Sequence, residues 1–179
     1  MPHIAIIMFF LVMFLPAAAF GSIAGLELHG KGEFRYLGFI KVYDAALYLQ
    51  NPAAADEILD AGTSRCLKLD YNVALRADDF KMSAFKILSR QHTPEKLASV
   101  NFEIERLHNA YRDVREGDSY SLCYDASRQT TTLVLNQQEL VTIASSDFAE
   151  IYFGIWLSPE NPMDEDLRNQ LLKPATSEK

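Results

Sequence analysis

The hydrophobic positions change their spacing several times along the chain. From Gly25 onward they read as strands, then helices, then strands, then helices. Leu26-Glu27-Leu28 alternates and ends at Gly30 and Gly32. Phe34–Leu49 (FRYLGFIKVYDAALYL) is rich in aromatic and β-branched residues, as expected of two long strands joined by a bend near Gly38. In Cys66–Leu75, Leu67, Leu69, Tyr71 and Val73 share one parity while Lys68, Asp70 and Asn72 take the other, which predicts a half-buried strand. Ser119–Asp125 repeats this with Tyr120, Leu122 and Tyr124. Thr130–Asn136 and Glu139–Ala144 form a hairpin across Gln137-Gln138.

Between and after these strands the spacing widens to three and four. A short helix is expected over Asp56–Ala61, stopped by Gly62. A longer one runs from Asp78 to about Ser89, with Phe80, Ala84, Ile87 and Leu88 on one stripe. Thr93-Pro94-Glu95 offers a hydroxyl cap, a first-turn proline and an acid at the positive helix end. Leu97, Val100, Ile104, Leu107 and Tyr111 then form one continuous stripe. Asp147–Leu157 and Asp164–Leu172 are the last two helices, and Pro174–Lys179 reads as a flexible tail. The pattern predicts one α+β domain over residues 25–172, an antiparallel sheet with a helical layer on one face.

The first residues follow none of these periods. Every charged residue lies at or after Glu27, and Ile4–Leu15 (IAIIMFFLVMFL) is an unbroken apolar run. It is too short to span a bilayer alone, which takes about 20 helical residues. Pro16 and the small residues after it complete the order of a secretory signal peptide over residues 1–21, with cleavage after Ala19 or Gly21. An uncleaved anchor is the alternative. The expected location is periplasmic or secreted, with no stable membrane span once the leader is gone.

Composition removes other classes. The net charge is −7 and no Lys/Arg cluster forms the basic footprint of a nucleic-acid binder. Cys66 and Cys123 are too far apart for a CxxC motif. They share the parity of polar neighbours, so on adjacent strands they would face the same side, and a disulfide is left open. His29, His92 and His108 have no second His or Cys at ligand spacing, so neither a metal nor a cofactor is called for. Ser145-Ser146-Asp147 fits a helix cap better than a nucleophile, and Asp78-Asp79 and Asp164-Glu165-Asp166 suit helix N-termini.

Gly32-Glu33-Phe34-Arg35-Tyr36 leading into Phe39-Ile40-Lys41-Val42-Tyr43-Asp44-Ala45-Ala46-Leu47-Tyr48-Leu49 resembles the "G-x-x-R … KVYxAxLYL" opening of the bacterial chalcone isomerase-like domain. Leu67–Val73 with the helix at Phe80, Phe102–Asp118, Tyr120–Tyr124, Phe148–Leu157 and Leu167–Leu172 match in the same order. The resemblance implies an open-faced antiparallel sheet, a layer of helices and an apolar cleft between them. Plant members cyclise a chalcone in that cleft; fatty-acid-binding members hold a long-chain carboxylate with an arginine and a tyrosine. By this resemblance Arg35 is the ligand-binding cation, and Phe80 and Ile87 occupy the isomerase's tyrosine and asparagine positions. Gly38 and Ile155 replace two of its hydroxyl-bearing residues.

No catalytic residue is therefore assigned, and the ligand-binding set is Arg35, Phe80 and Ile87. The expected function is a non-catalytic binder of a small apolar anion such as a fatty acid. A chalcone isomerase-type lyase and a protein-interaction domain without a ligand are the alternatives. The oligomeric state is unknown.

Overall fold

The computed structural model describes residues 25–51 and 57–175. The expected leader lies outside the described residues. Six strands form one antiparallel meander in chain order: β1 (Glu27–Tyr36), β2 (Ile40–Leu49), β3 (Arg65–Tyr71), β4 (Ser119–Asp125), β5 (Thr130–Leu135) and β6 (Gln138–Ala144). Between β3 and β4 come α1 (Ala77–Gln91), α2 (Pro94–Ala98) and α3 (Asn101–Ala110); α4 (Ser146–Leu157) and α5 (Glu165–Leu172) follow β6. The fold is α+β, as the alternation and the helical stripes imply.

Each strand turns its apolar parity toward the helices. Leu47, Leu67, Leu122 and Leu133 are buried there beneath α4, whose Phe148, Ile151, Tyr152, Phe153 and Ile155 are buried in turn. A helix apolar on nearly every side belongs in the middle of a layer, and α4 lies between α1 and α5. Ser145 caps it, its hydroxyl accepting from Phe148 N at 3.1 Å, so the Ser-Ser-Asp triplet has the capping role that its position implies. Asp164 caps α5 in the same way, accepting from Leu167 N at 2.7 Å.

Several local expectations need correction. The first strand continues through Gly30 and Gly32 instead of ending there, because α5 lies directly on it. A Cβ at Gly30 would run into the Leu171 carbonyl, and one at Gly32 would press on Leu167 Cδ1. Of the short helix expected over Asp56–Ala61, the described part from Glu57 is a series of turns, with Asp60 N donating to Glu57 O at 3.1 Å and Thr63 N to Asp60 O at 3.1 Å. The long stripe from Leu97 to Tyr111 is broken between α2 and α3. There Ser99 Oγ donates to Lys96 O at 2.7 Å, and Val100 leaves helical geometry with ψ near 14°. The final hairpin turns on Asn136 and Gln137, both left-handed (φ 48° and 71°), one residue earlier than expected. Paired left-handed residues suit the strand twist of a tight hairpin. Ala175 N donates to His29 O at 2.6 Å, so the chain is still held against β1 beyond Pro174.

Two features lie at the centre of the sheet. Cys66 on β3 is paired directly with Cys123 on β4, the Cα atoms are 3.9 Å apart, and the two form a disulfide. That pairing resolves what parity alone left open. Arg65, at the start of β3, is fully buried on the helix side. Its guanidinium lies between the Tyr124 and Phe153 rings, 4.7 and 4.8 Å from their centroids, and Nη1 donates to the carbonyls of Asp60 and Thr63 at 2.9 Å each. Desolvation pulls its pKa down to about 10.

Candidate functional site

Toward the other end of β3 the helices stand away from the sheet and leave a cavity of about 540 Å³. Its floor is Tyr43 and Leu69 with Tyr71, its helical wall is Phe80, Ala84 and Ile87 of α1, and Trp156 of α4 closes one side. This volume falls within the ~300–1,000 Å³ of ordinary small-molecule sites. Tyr36 and Ile40, beside the β1–β2 turn, border the mouth and remain solvent-exposed.

The wall is built from interlocking aromatic rings. Phe80 stacks on Tyr111 with centroids 5.1 Å apart, and Tyr71 meets Phe80 and Tyr43 edge-on at 5.7 Å each. The hydroxyls are mostly engaged. Trp156 Nε1 donates to the Tyr43 hydroxyl at 3.2 Å, and that O–H lies 3.6 Å from Met163 Sδ. Tyr111 and Tyr152 share a hydrogen bond of 2.9 Å, with His108 Nε2 at 3.3 Å behind Tyr152. Tyr71 is 4% exposed, and among the described residues its hydroxyl makes no hydrogen bond.

Burial raises the pKa of Tyr43, Tyr71, Tyr111 and Tyr152, which keeps each phenol protonated and therefore a donor. Burial also pushes His108 below its ordinary value, so its imidazole is neutral. The one acidic side chain on the cavity wall is Asp79, and it also accepts a hydrogen bond from Arg76 N at 2.8 Å. Among the described lining residues there is no Lys or Arg and no nucleophile paired with a base. Such a wall holds apolar volume and offers hydroxyl protons, and its one carboxylate, Asp79, makes no hydrogen bond to a nucleophilic side chain among the described residues.

Phe80 and Ile87 both line this cavity. Arg35 does not, and the sequence reading is corrected on this point. In β1, Phe34 and Tyr36 face the cavity, so the residue between them points to the opposite side of the sheet. There Arg35 Nε donates to Glu33 Oε1 at 2.6 Å, its side chain 42% exposed, within a charged surface completed by Lys41 and Asp44 at 2.6 Å. Strand alternation alone would have placed it there. The residues missed by sequence reasoning are Tyr43, Tyr71, Tyr111, Tyr152 and Trp156. Their signal was present: hydroxyl-bearing and indole side chains on the apolar parity of strands and helices need buried partners. The outer face also carries a broader depression of about 930 Å³ near Lys68, Asp70 and Thr132. Lys68 and Asp70 already pair there at 2.7 Å, and Ser, Thr and Asn side chains make up much of the rest of its lining.

An antiparallel meander roofed by helices, with an aromatic cavity between the layers, defines an α+β protein of the chalcone isomerase architecture. The chain belongs to the chalcone isomerase-like family, whose model matches residues 15–173. The crystal structure of a fatty-acid binding protein from Arabidopsis thaliana is similar in fold, with a TM-score of 0.65 over 86% of this chain and 89% of that one, at 14% identity. No curated protein sequence matches the chain. Among the described residues no helix is long and apolar enough to cross a membrane.

Proposed function

We propose that this chain is a non-catalytic binder of one long apolar molecule of the fatty-acid class, held in the cavity between α1, α4 and the sheet. The observation that carries this reading is the cavity itself: about 540 Å³, walled by aromatic and aliphatic side chains. The fatty-acid-binding function named for the Arabidopsis protein supports the ligand class. At the positions where the resemblance expects the isomerase's orienting tyrosine and asparagine, Phe80 and Ile87 present hydrocarbon to the cavity. A phenolate nucleophile would find nothing there to orient it.

We further propose that the mature protein works outside the cytosol after loss of residues 1–21. The Cys66–Cys123 disulfide supports this, since such bridges persist in oxidising compartments. The chain has a single tryptophan, Trp156, and it lines the cavity. Titration with medium- and long-chain lipids should therefore change its emission, saturating at one equivalent. Native mass spectrometry of the protein purified from the periplasm should show one bound lipid. Chalcone cyclisation at the uncatalysed rate is expected in the same preparation. Saturable turnover of a chalcone, or a Trp156 signal indifferent to every lipid tried, would overturn the proposal.

A further inference from the structure

We infer that the cavity selects ligands with an uncharged polar head, an alcohol or a protonated acid, whose oxygen accepts a hydrogen bond from Tyr71, and discriminates against the carboxylate form. This deepens the proposed function and rests on it. A carboxylate leaving water for an apolar site needs a buried cation or several converging donors. Among the described residues the cavity wall supplies no cation. The sequence-favoured cation, Arg35, is on the outer face and bound to Glu33 at 2.6 Å; Lys41 is on that face too, bound to Asp44 at 2.6 Å. The wall instead carries Asp79, whose negative charge repels a second carboxylate.

The donors present suit a neutral oxygen. Tyr71 is 4% exposed, belongs to the cavity wall and has no hydrogen-bond partner among the described residues. The ring is buried but the hydroxyl stays open to the cavity, where a ligand oxygen can take its proton in place of water. Tyr43 adds little, since its oxygen already accepts from Trp156 and its proton lies by the Met163 sulfur. Tyr111 and Tyr152 share one hydrogen bond, and His108 Nε2 stands by the Tyr152 hydroxyl to take the second proton. Tyr36 and Ser83 also line the cavity but are solvent-exposed; the one buried open donor can satisfy an alcohol or a neutral acid, whereas a full negative charge needs more than one.

The test compares dodecan-1-ol, dodecanoate and dodecane at about pH 8, below micellar concentrations, reading Trp156 emission. The alcohol should bind at least about tenfold more tightly than the carboxylate. In Tyr71→Phe the ratio of alcohol to dodecane affinity should fall by about three- to tenfold, the range of one hydrogen bond. This exchange deletes an unpartnered hydroxyl and keeps the ring, so the protein folds; the urea midpoint checks that. In Asp79→Asn the preference for alcohol over carboxylate should narrow. The inference fails, and the proposed function survives, if dodecanoate binds as tightly as the alcohol or if Tyr71→Phe leaves the ratio unchanged. If none of the three ligands binds, both fall together.

Discussion

Arg65 and Tyr71 leave the same side of β3 at its two ends and meet opposite surroundings. At the Arg65 end the helices close onto the sheet, two aromatic rings clamp the guanidinium, and two backbone carbonyls accept from Nη1, while Nε and Nη2 have no partner among the described residues. At the Tyr71 end the layers separate, the rings line a cavity instead of filling it, and a hydroxyl is left with its proton unclaimed by the described residues. One end is packed shut around its polar group, and the other stays open to something from outside. A polar group is thus informative less by its charge than by whether a ligand can reach it: unpaired guanidinium nitrogens among packed rings recruit nothing, whereas a hydroxyl open to a cavity can.

The sharpest way to break this contrast is at Arg65. Arg65→Ala removes the clamped cation and leaves a void, and it should cost about 3 kcal/mol in urea unfolding. Arg65→Met keeps most of the stem packing and should cost about 1 kcal/mol. Wild-type stability in Arg65→Ala would erase the difference between the two ends. At the opposite end, Ala84→Phe puts a ring into existing space. Lipid affinity should drop at least about tenfold, roughly 1.4 kcal/mol, while the urea midpoint holds or rises. A midpoint that falls with affinity intact would mean that the cavity is not the site.

Between the ends lies His108, behind the Tyr152–Tyr111 pair. Burial holds its pKa below the ordinary value, so the unfolded chain takes up the proton first as pH falls. Its contribution to stability is therefore complete above about pH 6.5 and is lost as pH drops through the folded-state value. His92 is shifted the same way by burial and adds to the slope. His108→Gln should flatten the fall in unfolding free energy on the acid side, and an unchanged slope would remove His108 from the account. The smallest effect is expected at Arg35. Its pair with Glu33 is solvent-exposed and adds little to stability, so Arg35→Ala should match the wild type in urea midpoint and in lipid affinity alike. A tenfold loss of affinity there would return the arginine to the binding site.

Much of the architecture was legible because period and parity are local. Leu67, Leu69 and Tyr71 show which side of β3 meets the helices, and Phe148 to Trp156 declare a helix buried on most sides. Breaks were less legible. Nothing in the run from Leu97 to Tyr111 announces that Ser99 turns its hydroxyl onto Lys96 O and divides the helix. Gly30 and Gly32 read as stops, yet they allow the close approach of α5, a contact made across most of the chain length. For the site, Phe80 and Ile87 were reached through a resemblance, as was Arg35, which strand alternation places on the wrong side. Tyr71 was correctly assigned to the inner face; its missing partner became visible only once β2, β4 and α1 were assembled around it.

The Cys66–Cys123 bridge ties together two neighbouring central strands, yet along the chain it spans 57 residues. Inside that covalent ring lie α1, α2 and α3, and with them Tyr71, Asp79, Phe80 and Ile87. Closing a ring of that length removes about 4 kcal/mol of chain entropy from the unfolded state. A protease cut anywhere in the ring, even in the α2–α3 break, leaves one covalent molecule, with both new ends still tethered beside β3 and β4. The segment carrying the cavity's helical wall is thus the part of the chain that can be severed without being lost, until a reductant opens the ring.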